Sequence, residues 1–198
     1  MRISPRAIFR ATALLLSLSA CGRATGAANP APDPDTPVRV LPLDQLYVLE
    51  MAGIPPEDTV VTFHPGAART IIMRHGAPDN TTFVELRFPA DVFGKDSLPD
   101  SVSVTVQPRP GIYGVEVKMS LEPHRGASIR FKYPVHFSAP IAAVNKYGGT
   151  GRYERALAVV RQVSSTTGYG LLASERPSSD NLQAGLQGSG VYLVAAPR

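Results

Sequence analysis

Hydrophobic and polar positions alternate along much of this chain. Residues 101–107 read SVSVTVQ, with Val102, Val104 and Val106 on one face and Ser101, Ser103, Thr105 and Gln107 on the other. Residues 113–120 set Tyr113, Val115, Val117 and Met119 against Gly114, Glu116, Lys118 and Ser120. Residues 128–137 set Ile129, Phe131, Tyr133, Val135 and Phe137 against Arg130, Lys132, Pro134 and His136. A period of two predicts strands with one buried and one wet face. Pro134 has no N–H to give to a ladder, so the third strand is expected to be an edge or to bulge there. Less regular strands are predicted at 59–64, 69–75, 81–88, 168–173, 181–187 and 190–195. Turn signals separate them, at Pro65-Gly66, Pro78-Asp79-Asn80, Pro108-Arg109-Pro110-Gly111 and Gly148-Gly149. The segment 155–163, RALAVVRQV, fits a helix stripe through Ala156, Val159, Val160 and Val163 and a strand through Leu157, Val159 and Val163. Its three β-branched valines favour the strand. Short strands with proline-rich turns predict an all-β fold, an antiparallel immunoglobulin-like β-sandwich over 38–198.

The first twenty residues follow another pattern. Arg2, Arg6 and Arg10 precede an apolar run from 11 to 20 centred on Leu14, Leu15, Leu16 and Leu18. A basic start and a short apolar stretch predict a cleaved signal peptide. The run is about half of what ~30 Å of hydrocarbon requires, so it is not a span. It ends in Leu18-Ser19-Ala20-Cys21, which resembles the lipobox of bacterial lipoproteins. The resemblance implies cleavage between Ala20 and Cys21 and a diacylglyceryl thioether on Cys21, often with acylation of the new amino group. A thiol suits this chemistry because the thiolate is a strong nucleophile. Gly22 follows where, in the enterobacterial pattern, aspartate would retain a lipoprotein at the inner membrane. The expected location is the bacterial cell membrane through the lipid, and the outer membrane in an organism with two. Residues 21–37 carry prolines at 30, 32, 34 and 37 and almost no large apolar side chain. Such composition does not fold on its own, and a polyproline-like tether of this length reaches about 50 Å. The division is thus 1–20 signal, 21–37 lipidated cysteine and Pro/Ala-rich linker, and 38–198 folded domain.

A second resemblance concerns the folded part. Phe88-Pro89-Ala90-Asp91-Val92-Phe93 leads into SVSVTV. Tyr133-Pro134-Val135-His136-Phe137, Gly168-Tyr169-Gly170-Leu171-Leu172 and Gly190-Val191-Tyr192-Leu193-Val194 follow. This order resembles the β-sandwich domain shared by ankyrins, netrin receptors and zonula-occludens proteins, over roughly 89–197. Ala90-Asp91 stands where that family usually has a glycine. The resemblance implies a sandwich with an interaction role and transfers no catalytic residue.

Composition narrows the chemistry. The net charge is +4, but three of the twenty basic residues and none of the sixteen acids lie in the signal, leaving 17 against 16. That balance gives no argument for nucleic acid. Cys21 is the single cysteine, so no internal disulfide supports the fold. His64, His75, His124 and His136 have no metal-ligand spacing. Ser189 lies between glycines as in a hairpin, without a nucleophile elbow. Tyr147-Gly148-Gly149-Thr150-Gly151-Arg152 lacks the Lys-Ser/Thr of a phosphate loop. No cofactor or metal is expected. The segment 146–155 is read as a mobile loop whose Tyr147, Arg152 and Tyr153 form the candidate binding site, since such side chains dominate binding hot spots. Replacing these three by alanine is expected to abolish partner capture and spare the fold. The row Arg130, Lys132 and His136 reads as a solvated strand face. The expected function is a non-catalytic interaction or structural module of the envelope, monomeric, meeting a protein or envelope polymer while held to the membrane by Cys21. One alternative is a tethered sandwich hydrolase, a glycosidase or peptidase. Another is a carbohydrate-binding module, against which the absence of tryptophan counts.

Overall fold

The computed structural model describes residues 39–94, 98–133, 137–163 and 167–198. The signal peptide, Ala20, Cys21, the linker to residue 37, Pro134 and His136 lie outside the described residues. Among those described, no helix is long and apolar enough to cross a membrane.

The described residues begin with β1 (Val40–Pro42), a 3-10 turn at Leu43–Gln45, β2 (Leu46–Val48) and β3 (Glu50–Met51). There follow β4 (Thr59–Phe63), β5 (Arg69–Arg74), β6 (Thr82–Phe88), β7 (Val102–Pro108), β8 (Gly114–Met119), β9 (Ser128–Lys132) and β10 (Phe137–Ser138). Two helices interrupt among the described residues, α1 (Ile141–Tyr147) and α2 (Thr150–Ala156). The chain closes with β11 (Ala158–Gln162), β12 (Gly168–Leu171), β13 (Ser174–Glu175), β14 (Asn181–Gly185) and β15 (Gly190–Pro197).

Two antiparallel sheets form a β-sandwich. The larger, eight-stranded sheet runs β1-β12-β11-β15-β8-β7-β4, with β2 also on β15. The smaller, five-stranded sheet runs β13-β14-β9-β6-β5, and β3 pairs with β10 separately. The alternation read from sequence decides which side faces in. Val102, Val104, Val106, Val115 and Val117 are fully buried and meet Val84, Leu86, Ile129 and Phe131 in one core. Burying each of these side chains contributes about 1.5–3 kcal/mol.

The larger sheet also curls. Pro42 ends β1 and Leu46 begins β2, four chain steps that reach at most ~14 Å. Between them the sheet order interposes β12, β11 and β15, and four strand spacings on a flat sheet span ~19 Å. The curl encloses a second, smaller core of Leu41, Leu46, Val160, Tyr169, Leu193 and Ala195.

Two expectations are corrected. The segment 146–155 is not a loop but the end of α1, a tight turn and most of α2. Gly148 takes the left-handed conformation at φ 70°, its N–H donating to Val144 O, and Gly149 at φ 132° opens α2. Side chains rarely adopt such angles, so a glycine pair makes a two-helix corner as readily as a loop. The ambiguous 155–163 divides at Leu157, with helix before it and the predicted strand after it. Second, Ser128–Lys132 is not an edge: β9 pairs with both β6 and β14 and ends two residues before Pro134.

Candidate functional site

The structure places two of the three predicted binding residues, Tyr147 and Tyr153, in a structural joint. Tyr153 is fully buried, and its hydroxyl donates to Tyr47 O on β2 at 3.1 Å. Tyr147 packs against it, ring centroids 5.9 Å apart, and donates to Pro197 O on β15 at 2.6 Å. The two helices therefore latch β2 and the end of β15. Arg152 alone of the three is exposed. Burial of the tyrosines raises both hydroxyl pKa values, Tyr153 most. Tyrosines beside glycines read in sequence as presented to solvent, whereas Tyr153 is buried and Tyr147 packs on it.

The other candidates also have structural partners. Ser189 Oγ accepts from Met119 N at 2.9 Å while Ser189 N donates to Glu122 Oε2 at 2.7 Å, so this serine fastens a hairpin to the neighbouring turn. His75 is buried, edge-on to Phe83 at 5.3 Å. His64 is exposed and accepts from Gly66 N at 3.1 Å. Arg130 reaches across to Gln183 Oε1 through Nε and Nη2, at 2.9 and 2.6 Å. Among the described residues no three His, Cys, Asp or Glu side chains group as a metal site.

One open cleft, of about 360 Å³, lies over the curled part of the large sheet between Leu43, Leu46, Tyr169 and Leu193, with Arg109 and Arg198 on its rim. Both arginines have protein partners. Arg198 lies 4.8 Å over the Tyr47 ring and donates Nε to Leu46 O, and Arg109 faces Glu116 at 3.8 Å.

The strand edges differ more sharply. An edge strand exposes unpaired N–H and C=O groups, and folds usually shield it by brevity, proline, charge, a bulge or a cover. Strand β1 has three residues and ends in Pro42. Strand β13 has two. Strand β5 has Arg69 and Arg74 at its ends and a register shift between Met73 and Arg74. Strand β2 is held under Tyr153. Among the described residues, strand β4 has none of these devices. It pairs with β7 alone among the described strands, and its five residues TVVTF include no charge and no proline.

Its register fixes both faces. Thr59, Val61 and Phe63 oppose Val106, Val104 and Val102 and so point into the sandwich. Phe63 meets Phe88 and Phe93 at 5.5 and 6.1 Å. Val60 and Thr62 oppose Thr105 and Ser103 on the outer face. That face is otherwise a polar ladder: Gln107 Nε2 donates to Asp58 Oδ2 at 2.6 Å, and Lys118 Nζ donates to Gln107 Oε1 at 3.2 Å and meets Glu116 at 3.1 Å. Val60, 66% exposed, is the apolar exception at the rim of this ladder. The strand is legible in the sequence and its place at the sheet edge is not. The signal lay in an uncharged TVVTF between Glu57-Asp58 and His64, but strand order is not written locally.

Compared with family models, curated proteins and solved structures, the chain matches none.

Proposed function

We propose that this chain is an exported bacterial lipoprotein, anchored through Cys21, whose β-sandwich is a non-catalytic interaction module that takes an added strand on β4. The lipobox-like Leu18-Ser19-Ala20-Cys21 after an apolar run supports the anchor. The unshielded β4 edge carries the interaction reading. Strand addition uses main-chain hydrogen bonds for affinity and alternate side chains for register. It requires a polypeptide backbone, which narrows the partner from "protein or envelope polymer" to protein. The outer pair Val60 and Thr62 supplies the side-chain contacts a seated strand would meet.

The test is a photo-crosslinking amino acid placed at residue 60 in the protein expressed in its bacterial envelope. The same probe at Ile72 on the shielded β5 edge, 42% exposed, is the control. A discrete protein adduct from 60 and none from 72 is expected. No adduct from 60, or equal adducts from both, overturns the reading.

A further inference from the structure

We propose that the strand seated on β4 is the β4 strand of a second copy of this chain, paired antiparallel about a two-fold axis at Val61. The proposal rests on the reading of β4 as an interaction edge and adds the identity of the occupant.

Strand β4 is complementary to itself. With Val61 opposite Val61 of the second copy, Val60 faces Thr62 and Asp58 faces His64, each twice by symmetry. Directly opposed residues in an antiparallel pair share a face. Asp58, Val60, Thr62 and His64 all fall on the outer-face parity set by β7. The exposed Val60 gains a methyl-bearing neighbour, and each acid gains an imidazole. A parallel alignment would set Asp58 beside Asp58 and His64 beside His64. Shifting the antiparallel register by two residues sets Asp58 opposite Thr62 and loses the acid–imidazole pairs. The charge distribution of the strand, acids Glu57 and Asp58 before it and His64 after it, therefore selects one orientation and one register.

The symmetric contact is isologous and closes on itself. It joins two eight-stranded sheets into one continuous sheet. A strand edge of five residues is small against the roughly 1,200–2,000 Å² that stable interfaces bury. Two copies tethered to one membrane meet at a far higher effective concentration than free chains. Pairing is accordingly a property of the anchored protein, and dilute domains stay monomeric.

The experiment uses the full chain in its envelope with Val60→Cys and Thr62→Cys, both at exposed positions, on differently tagged copies. In the proposed register residues 60 and 62 are directly opposite, at ~4.5–5.5 Å between Cβ atoms, whereas 60–60 and 62–62 are diagonal at ~7–8 Å. Of these only the direct pair comes near the ~3.5–4.5 Å between Cβ atoms that a disulfide needs, and strand breathing closes the remainder. Mild oxidation with copper phenanthroline should yield mixed 60–62 dimers at several times the yield of either variant alone. The parent chain, with Cys21 only, should give none. Asp58→Lys should lower the mixed yield several-fold, and Asp58→Lys with His64→Glu should restore it. Equal yields in all arms, or no dimer, overturn the proposal. If dimers are absent while the photo-probe at 60 links a different protein, the occupant is wrong and the edge reading stands. If the probe at 60 links nothing, the edge reading itself fails.

Discussion

The Arg176 guanidinium donates through Nη1 to the Tyr133 hydroxyl at 2.8 Å. Its Nη2 donates to Leu157 O at 2.8 Å and to Glu154 O, carbonyls at the end of α2. One side chain thus ties Tyr133, the residue that follows β9, to the helix that latches β2. Hydrogen bonds from a charged donor contribute roughly 1.5–3 kcal/mol each when partly buried. Arg176→Gln should lower the unfolding free energy by about 2–4 kcal/mol, read from urea midpoints. Burial raises the Tyr133 pKa and Arg176 opposes that rise. The same variant should therefore delay Tyr133 ionisation further, visible as later tyrosinate absorbance.

Tyr153 separates packing from binding. Tyr153→Phe removes one hydrogen bond and should cost about 1 kcal/mol. Tyr153→Ala opens a cavity beneath β2 and should cost about 3–5 kcal/mol. The triple alanine variant at 147, 152 and 153 should unfold well below the parent in a thermal scan, contrary to what the sequence alone suggested. Arg152→Ala by itself should leave the midpoint within about a degree or two, as exposed positions usually do.

Much of the sandwich was legible because strict alternation names its own buried face. Every inward valine predicted for β7 and β8, and Ile129 and Phe131 of β9, is fully buried. The helices were not legible because their caps are Pro140 and Gly149, without a Ser, Thr, Asp or Asn to announce a start. At Pro134 the sequence left an edge or a bulge open; Ser128–Lys132 is paired on both sides, and Pro134 itself lies outside the described residues. The β4 edge was invisible for a related reason. Its five residues state that a strand forms, and only the β7 pairing, with none beyond it among the described strands, states where the sheet ends.

Alkaline pH should destabilise the fold. Tyr192 is fully buried, accepting from Gln187 N at 3.0 Å and donating to Gly188 O at 2.7 Å. Burial pushes its pKa up to about 12, against the pull of Arg161 5.9 Å from its ring. An unfolded tyrosine ionises near pH 10. Below that value the neutral hydroxyl's contribution is fully present. As pH rises from about 10 through about 12 the unfolded chain releases its proton first, and stability falls. Tyr133, Tyr147 and Tyr153 shift the same way and reinforce the loss. Urea midpoints should be flat to about pH 9.5 and decline steeply above it. Tyr192→Phe should be less stable at neutral pH and show a shallower alkaline decline.

The anchor is tested by Cys21→Ser. The serine variant should remain uncut between residues 20 and 21 and take up no labelled palmitate, because Cys21 is the chain's only thiol. The parent should stay with the membrane through carbonate washing, since each buried acyl CH₂ contributes about 0.8 kcal/mol. Label in the serine variant would remove the lipoprotein reading.

Amide hydrogen exchange across Thr59–Phe63 tests most directly the claim that β4 is the working surface. In an antiparallel edge strand, alternate amides bond to the one neighbour and the others face outward. In the parent protein diluted in detergent, alternate β4 amides should therefore exchange fast while the rest stay protected through β7. In the intact envelope all of them should be protected, and Thr62→Pro should return the fast-exchanging set. An exchange pattern for β4 that is the same in detergent, in the envelope and in the proline variant would contradict the account.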